Sequence, residues 1–285
     1  MSLRQMEYLV AVVEEESFTR AAEVLHVTQS ALSHQIKALE REVGGPLLER
    51  MTRGVRLTPM GRAYFPHAEL AVRSAEQARR AAMAAAGAES GELHIATVHA
   101  HAIGVLPEAC LRWRREHPGV RLVLHEFATD QELYERMERG VADVAVGPPP
   151  KEWQGPVTVL REEELVLVVP RDDPLAARAF VTLKDLADRP WVRCALEPVL
   201  DGRLWLDIAC ERAGFAPRTA VRTQHTSTAV RMAAAGVGVL LTASHELTGL
   251  DCAAVPTDPP YRREITAFSR VALTGAAAEF VELLR

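Results

Sequence analysis

The segment from Gln29 to Val43 has the feature of this sequence that most limits how the chain can fold. At about 100° of rotation per residue, its apolar residues share one side of a helix, and its outward side chains are polar without a carboxylate among them. Thr28 can cap the start of this helix, and Gly44 follows its end. The apolar side must pack against other helices, which leaves the polar side exposed. The apolar side comprises Leu32, Ile36, Leu39 and Val43, and the polar side comprises Gln29, Ser30, Ser33, His34 and Lys37.

Two shorter helices precede this segment. The first has apolar residues at helical spacing from Met6 to Val13, and the second opens at Ser17, a favourable N-cap. The small side chains of Ala21 and Ala22 permit the close crossing that a helix-turn-helix requires, and Val27 can fill the turn. The three helices therefore predict a helix-turn-helix unit with a small core.

A wing and a long helix are expected next. Two short segments, Leu47 to Arg50 and Val55 to Thr58, predict a pair of strands with Arg53 at the tip between them. Thr58 caps and Pro59 starts a helix with a seam at alternating steps of four and three residues. A seam of alanine allows close approach of a second copy, so we expect a homodimer through this helix. The seam consists of Tyr64, Ala68, Ala71, Ala75, Ala78, Ala82 and Ala85.

The composition excludes several classes of protein. Of 285 residues, 48% are hydrophobic and 25% are charged, which is typical of a folded globular chain. Uncharged apolar stretches fall far short of the roughly 20 residues that a membrane helix needs, and no secretory signal is recognisable. We therefore expect a cytoplasmic protein with no membrane contact. Four cysteines without a CxxC pair favour reduced thiols over disulfides or a zinc finger.

From Leu93 onward, apolar strands alternate with helices, which predicts β-α-β units and a mostly parallel sheet. We expect two lobes joined by crossing strands, one from about 91–161 with 268–285 and one from about 162–267. Ligands of open α/β sheets bind where strands end and helices begin. The candidates at such positions are Thr97, His99, Ala100, His101, Thr129, Cys194, Ala195, His225 and Thr226.

Residues 3–66 resemble the LysR-type transcriptional regulators. The resemblance rests on Ser17-Phe18-Thr19-Arg20-Ala21-Ala22, on Thr28-Gln29-Ser30-Ala31-Leu32-Ser33-His34-Gln35-Ile36-Lys37-Ala38-Leu39-Glu40, and on Arg50 with Leu57-Thr58-Pro59-Met60-Gly61. Leu48 departs from the family, in which many members have Phe. The remaining chain follows the domain order of the family with weaker motifs.

The resemblance implies a fold and a set of partners. The fold is an all-α winged helix-turn-helix domain over 1–58, a linker and dimerisation helix over 59–88, and an α/β two-lobed regulatory domain over 89–285 that resembles type II periplasmic binding proteins. The partners are double-stranded operator DNA, a second copy of the chain, a homotetramer built from two dimers, and RNA polymerase. No cofactor is implied beyond an unidentified small-molecule effector held between the lobes.

The polar side of the 29–43 helix has the chemistry of base readout. Gln29 can pair with adenine, Ser30 and Ser33 can donate or accept, and His34 can reach a guanine acceptor. Lys37, Arg50 and Arg56 suit the phosphate backbone, and Arg53 suits the minor groove or the backbone. The net charge of −5 argues against nonspecific coating of DNA, so binding should depend on this local surface. The alternative is a solvated helix face with no partner.

The cleft departs from the acid-binding pattern of the family. In many members a Ser or Thr in the first loop and a Thr in the second hold an effector carboxylate. Thr129 fits the second position, but Ala100 occupies the first, between His99 and His101. Together with His225 these histidines could bind an anion, sense pH or ligate a metal, but two histidines alone do not make a metal site, and solvated or loop-packing histidines are favoured.

Two further functions fit the sequence less well. Cys194 and Cys210 could form a redox pair, but a buried cysteine in a reduced compartment is more often a small apolar residue. No catalytic motif for hydrolysis, phosphate binding or zinc chemistry occurs, so we expect no enzyme. A solute-binding or catalytic two-lobed protein would also have a cleft, but it would leave the first ninety residues without a role.

Overall fold

The computed structural model of the chain describes residues 1–51, 54–85, 91–194, 197, 199–200 and 202–285. The chain forms two compact units, one of Met1–Met83 with Glu138–Val141, and one of Ala84–Met137 with Ala142–Arg285. Arg53 at the predicted wing tip, Ala195 in the predicted cleft, and the predicted boundary between 88 and 89 lie outside the described residues.

The first unit is helical with a two-stranded wing. Ser17 and Thr28 cap the second and third helices by accepting the backbone N–H of Arg20 and Ala31, as the sequence predicts. The wing strands pair antiparallel, with Glu49 opposite Arg56. The elements are α1 (Leu3–Glu14), α2 (Phe18–Val24), α3 (Gln29–Val43), β1 (Leu48–Arg50), β2 (Val55–Leu57) and α4 (Pro59–Ala85).

The core of this unit lies between α1, α2, α3 and the start of α4. Leu9, Leu32 and Leu39 are fully buried, and each such side chain contributes about 1.5–3 kcal/mol through burial. Ala68 of α4 is 1% exposed and belongs to the same core. A β-carbon at Gly61 would overlap with the carbonyl oxygen of Leu47, so glycine is required where α4 passes β1.

The second unit is an α/β structure. Its elements in chain order are β3 (Gly91–Val98), α5 (His99–Gly104), α6 (Leu106–Glu116), β4 (Val120–Phe127), α7 (Asp130–Glu138), β5 (Val144–Gly147), β6 (Val157–Val169), β7 (Pro190–Cys194), β8 (Val199–Leu200), β9 (Arg203–Leu204), α8 (Trp205–Arg212), β10 (Arg218–Thr223), α9 (Thr226–Ala234), β11 (Leu240–Ala243), β12 (Ala253–Phe268) and α10 (Gly275–Glu282). Short 3-10 turns occur at Pro174–Ala177, Leu183–Leu186 and Ser244–Leu247.

Two long antiparallel strands, β6 and β12, connect the core of the first lobe to the two cores of the second. The strand order is β11-β6-β12-β5-β3-β4, and β10 pairs with β7 in parallel beside it. The core of the first lobe packs α6 and α10 on β3 and β5, with Trp113 and Phe280 fully buried. The cores of the second lobe pack α8 and α9 around β7 and β11, with Trp191 fully buried. Both lobes therefore share the β6–β12 ladder.

Two predicted elements differ from those observed. Thr97–His101, expected as a loop, is instead the end of β3 followed by the first residues of α5. The apolar residues between 265 and 273 predict a return strand, but the strand observed is the sixteen-residue β12, Ala253–Phe268. It begins earlier than expected because the residues from Ala253 to Pro256 pair with β6, which is distant in sequence. No described helix is both long and apolar enough to cross a membrane.

Candidate nucleic-acid interface and ligand cleft

The outward arc of α3 is open to solvent. Gln29, Ser30, His34 and Lys37 are exposed, and Ser33 is half-buried. The opposite side is anchored, because Leu32, Ile36 and Leu39 are at most 2% exposed. The Thr28 hydroxyl, which caps the helix, also lies 3.2 Å from that of Ser30. The arrangement presents short polar side chains and the N-terminal amides of α3 on one surface.

The turn before α3 holds the helix against α2. The backbone N–H of Val27 donates to Ala22, and His26 adopts a positive φ of 53°. Ala21 and Ala22 are at most 3% exposed at the crossing, and Val27 packs on the same core. Small residues at this crossing therefore allow α2 and α3 to approach as the sequence predicts.

A carboxylate that the sequence interpretation did not single out connects α3 to the wing. Oε1 of Glu40 accepts the backbone N–H of Leu47 at 2.9 Å and that of Leu48 at 3.2 Å. Glu40 lies on α3 beside the buried Leu39, so a helical wheel of α3 alone gives no indication of this contact. This single side chain fixes the first wing strand relative to the outward arc.

Arg50 and Arg56 lie on different strands of the wing. Arg56 on β2 pairs with Glu49 on β1 at 2.8 Å, so its charge is partly neutralised within the wing. Arg50 is the last residue of β1. A phosphate contact by Arg56 would have to compete with Glu49, which the sequence interpretation did not anticipate.

The alanine seam of α4 has a buried part and an exposed part. Ala68 is used in the core of its own unit, and Tyr64 packs on that core as well. Ala78 and Ala82 are exposed. The exposed part of the seam beyond Val72 is therefore the part that remains open to a second copy.

Four of the predicted ligand residues meet where α5 of the first lobe lies against α9 of the second. The rings of His99 and His225 are 5.5 Å apart at their centroids, in an edge-to-face arrangement. His99 Nδ1 lies 2.8 Å from Oε2 of Glu126, which the sequence interpretation did not identify. Thr226 follows His225 and donates weakly to the sulfur of Cys194 at 3.8 Å. This cleft mouth combines two imidazoles, one carboxylate and one thiol.

The predicted threonines use their hydroxyls within the fold. Thr97 is fully buried and donates to the carbonyl of Val146 at 2.8 Å, which does not favour a direct ligand contact. Thr129 caps α7 by accepting the backbone N–H of Glu132 at 3.2 Å, which leaves its own O–H hydrogen available to donate. Ala100 is buried at 4% exposed and offers no polar group.

His101 lies away from the other two predicted histidines, among buried charged groups. Its ring is 6.4 Å from that of His245, and its Nε2 is 3.9 Å from Oε1 of Glu163. Burial and the nearby Arg263 charge lower the pKa of His101 to about 3, so the ring is neutral. Burial alone would raise the pKa of Glu163, but the His245 imidazole 3.0 Å away and the charge of Arg263 lower it to about 2.

Neither a metal cluster nor a disulfide occurs in the described part of the chain. No group of three His, Cys, Asp or Glu side chains there is spaced to hold a metal ion, and all four cysteines are free. Burial raises the pKa of the Cys210 thiol to about 11, and burial also raises the pKa values of Cys110 and Cys252. These three thiols are therefore held protonated at neutral pH.

Comparison with known proteins identifies the family. Residues 3–62 match the bacterial regulatory helix-turn-helix protein, lysR family, and residues 86–285 match the LysR substrate binding domain. The chain belongs to the LysR family. It is 32% identical to the HTH-type transcriptional regulator AlsR of Bacillus subtilis over 84% of this chain and 79% of that protein. It is 34% identical to a hydrogen peroxide-inducible genes activator of Dickeya chrysanthemi over 85% of this chain and 78% of that protein.

The fold agrees with the family. Full-length CbnR complexed with its target DNA has a TM-score of 0.71 to this structure, at 24% identity over 100% of this chain and 99% of that one. As a LysR-family protein, the chain is a DNA-binding transcriptional regulator with a helix-turn-helix domain and a substrate-binding domain. Its predicted winged helix-turn-helix, long helix and α/β regulatory architecture is confirmed.

Proposed function

We propose that this regulator reads operator DNA with the outward arc of α3 and responds to a small molecule held where α5 and α9 meet. The observation that carries the first part is the exposure of Gln29, Ser30, His34 and Lys37 above a fully buried apolar side. Gln29 and Ser33 would contact bases, and Lys37, Arg50, Arg53 and Arg56 would contact the backbone or the minor groove. A protein that works on DNA in this way would act in the cytoplasm.

The second part depends on the chemistry of the cleft mouth. His99 and His225 contact one another from different lobes, so a molecule bound against both rings would contact both lobes at once. Thr129 supplies a hydroxyl donor at the start of α7. Cys194 and Thr226 lie on the second-lobe side of the cleft mouth. His101 would act from the buried side of α5. A ligand that prefers one arrangement of the lobes would shift their populations.

The assembly that we propose is a homodimer through α4 and a homotetramer of two such dimers. One helix-turn-helix makes few base contacts, and specific sites are usually read by two units at helical spacing. The exposed alanines Ala78 and Ala82 support close contact between two copies of α4. Contact with RNA polymerase would follow at a promoter.

Peroxide sensing through thiols is the second candidate, since one relative is named a hydrogen peroxide-inducible genes activator. The thiolate is the form that reacts with oxidants. Because burial keeps the Cys110, Cys210 and Cys252 thiols protonated, direct oxidation of these three thiols is disfavoured.

A gel-shift titration tests the DNA-binding proposal. The full chain is titrated on the DNA upstream of its own gene and on a scrambled fragment, at two salt concentrations. We expect preference for the upstream DNA, and a weaker preference in Gln29→Ala. A solute-binding or catalytic two-lobed protein would show no sequence preference at moderate salt.

A thermal-shift screen of the full chain tests the effector proposal. Small acids, amino acids and divalent metals are compared, because a ligand that binds the folded state raises the unfolding temperature. A hit that depends on His99 and His225 would support the cleft mouth, and an acid hit that depends on Thr129 alone would move the site toward α7. A hit unaffected by all three substitutions would place the effector elsewhere.

A further inference from the structure

A buried group of ionisable side chains lies where α5 and the Ser244–Leu247 turn meet the two crossing strands. His101 comes from α5, Glu163 from β6, Arg263 from β12, and His245 and Glu246 from the turn. The side chains of His101, Glu163 and Glu246 are between 2% and 9% exposed, and those of His245 and Arg263 are 17% and 23% exposed. Charged groups at such depth need close partners.

The turn is tied to both crossing strands through this group. Nδ1 of His245 lies 3.0 Å from Oε2 of Glu163, which is itself paired with Arg263. Nη2 of Arg263 also donates to Oε1 of Glu246 at 3.2 Å. The Glu246 carboxylate accepts a further hydrogen bond of 2.6 Å from the hydroxyl of Thr242. Each carboxylate therefore has two partners, and the turn has a fixed position on the ladder.

The ring of His245 also touches α5. A β-carbon at Gly104, near the end of α5, would overlap with this ring, so the helix backbone and the imidazole are in direct contact. The atom that would clash belongs to a side chain, so an alanine here would displace the ring rather than the backbone. One side chain of the second lobe thus contacts both the ladder and the helix that carries His99, Ala100 and His101.

We propose that His245 is a positioning residue that fixes α5 against the second lobe and thereby sets the arrangement of the two lobes. This inference rests on the proposed function, because α5 carries side chains assigned to effector binding. Releasing the contact between His245 and Gly104 frees α5 and changes the regulatory state with no small molecule present. The contact thus limits how far the two lobes can move relative to each other.

Two substitutions break the contact from opposite sides. Gly104→Ala displaces the ring from α5, whereas His245→Asn keeps an N–H donor close to the position of Nδ1 and removes the part of the ring that meets Gly104. Ile103→Ala is the matched control, since Ile103 lies on the same helix and is 52% exposed. All are made in the full chain, and tryptophan fluorescence confirms that the second unit is folded.

Hydrogen–deuterium exchange of peptides covering 93–105 is the first measurement. We expect amides of α5 to exchange at least threefold faster in each single variant than in the unmodified chain. The double variant should exchange no faster than either single variant, because both remove the same contact. Unchanged exchange in both single variants, or equal acceleration in Ile103→Ala, would overturn the assignment of His245.

Bending of DNA is the second measurement. Permuted fragments of the upstream DNA are bound without any small molecule, and we expect Gly104→Ala and His245→Asn to shift the apparent bend in the same direction with affinity unchanged within threefold. Faster exchange with an unaltered bend would refute the regulatory role. Absence of specific binding by the unmodified chain would instead refute the proposed function, while the exchange result would still decide whether His245 positions α5.

Discussion

Replacement of Glu40 tests how the DNA-reading helix is joined to the wing. Its Oε1 accepts two backbone N–H groups, from Leu47 at 2.9 Å and from Leu48 at 3.2 Å. A hydrogen bond to a charged group contributes about 1.5–3 kcal/mol. Because both bonds share one oxygen and Glu40 is half-buried, we expect Glu40→Ala to lower the free energy of unfolding by about 2 kcal/mol. Glu40→Gln keeps an oxygen acceptor without the charge and should lower it by about 1 kcal/mol.

The distribution of tryptophan makes the assay selective. All four tryptophans, Trp113, Trp153, Trp191 and Trp205, belong to the second unit. Urea unfolding followed by far-ultraviolet circular dichroism reports both units, whereas tryptophan fluorescence reports the second unit. With a slope of about 1–2 kcal/mol per M for a small unit, the loss of about 2 kcal/mol corresponds to a shift of about 1–2 M in the first dichroism transition.

The urea midpoint of the fluorescence transition should be the same in Glu40→Ala as in the unmodified chain. Affinity for the upstream DNA should also fall, since the wing would no longer be fixed relative to α3. An unchanged dichroism midpoint would show that Glu40 contributes nothing to the first unit. An equal shift in fluorescence would show that the two units unfold together, and the reasoning from local contacts would be wrong.

Three further predictions concern DNA, pH and thiols. Gln29→Ala should cost about 1–3 kcal/mol of binding to the upstream DNA and relax base choice, whereas Arg53→Ala should weaken all sequences alike, which gel shifts on matched and scrambled DNA distinguish. The pKa of His101 falls from 6.5 in the unfolded chain to about 3 in the folded chain. Because the unfolded state therefore binds more protons between these pH values, the stability of the second unit should rise with pH across that range. In urea unfolding followed by fluorescence, His101→Phe should reduce the slope of stability against pH. An equal slope in the variant and the unmodified chain would contradict the assignment. Burial raises the pKa of Asp130 to about 6, which contributes a slope of opposite sign that is common to both proteins. Cys210 should resist alkylation at pH 7 until the chain unfolds, as counted by mass spectrometry, because burial raises its pKa to about 11; rapid labelling of the folded chain would restore the thiol candidate.

The parts of the structure that could be predicted from sequence depend on local periodicity. The two sides of α3, its cap at Thr28 and the small residues at the α2–α3 crossing are all set within one or two helical turns. Alternating apolar runs likewise predicted most strands of the second unit. These features need no information about distant residues.

The parts that could not be predicted depend on residues far apart in sequence. Glu163 and Arg263 face each other across strands a hundred residues apart, and His245 joins them from a third segment. The spacing of two residues in the sequence groups His101 with His99. On the short α5, that spacing places the His101 ring inside and the His99 ring at the surface. The pairing of Arg56 with Glu49 also depends on the register of the wing.

The first turns of α4 determine how short a DNA-binding fragment can be. Ala68 and Val72 are buried at 1% and 7% exposed, and Tyr64 packs on the same core. A fragment ended at Thr58 would leave the apolar sides of α1 and α3 open to water and would be prone to aggregate. Truncated proteins made for crystallisation with operator DNA should therefore extend beyond Val72.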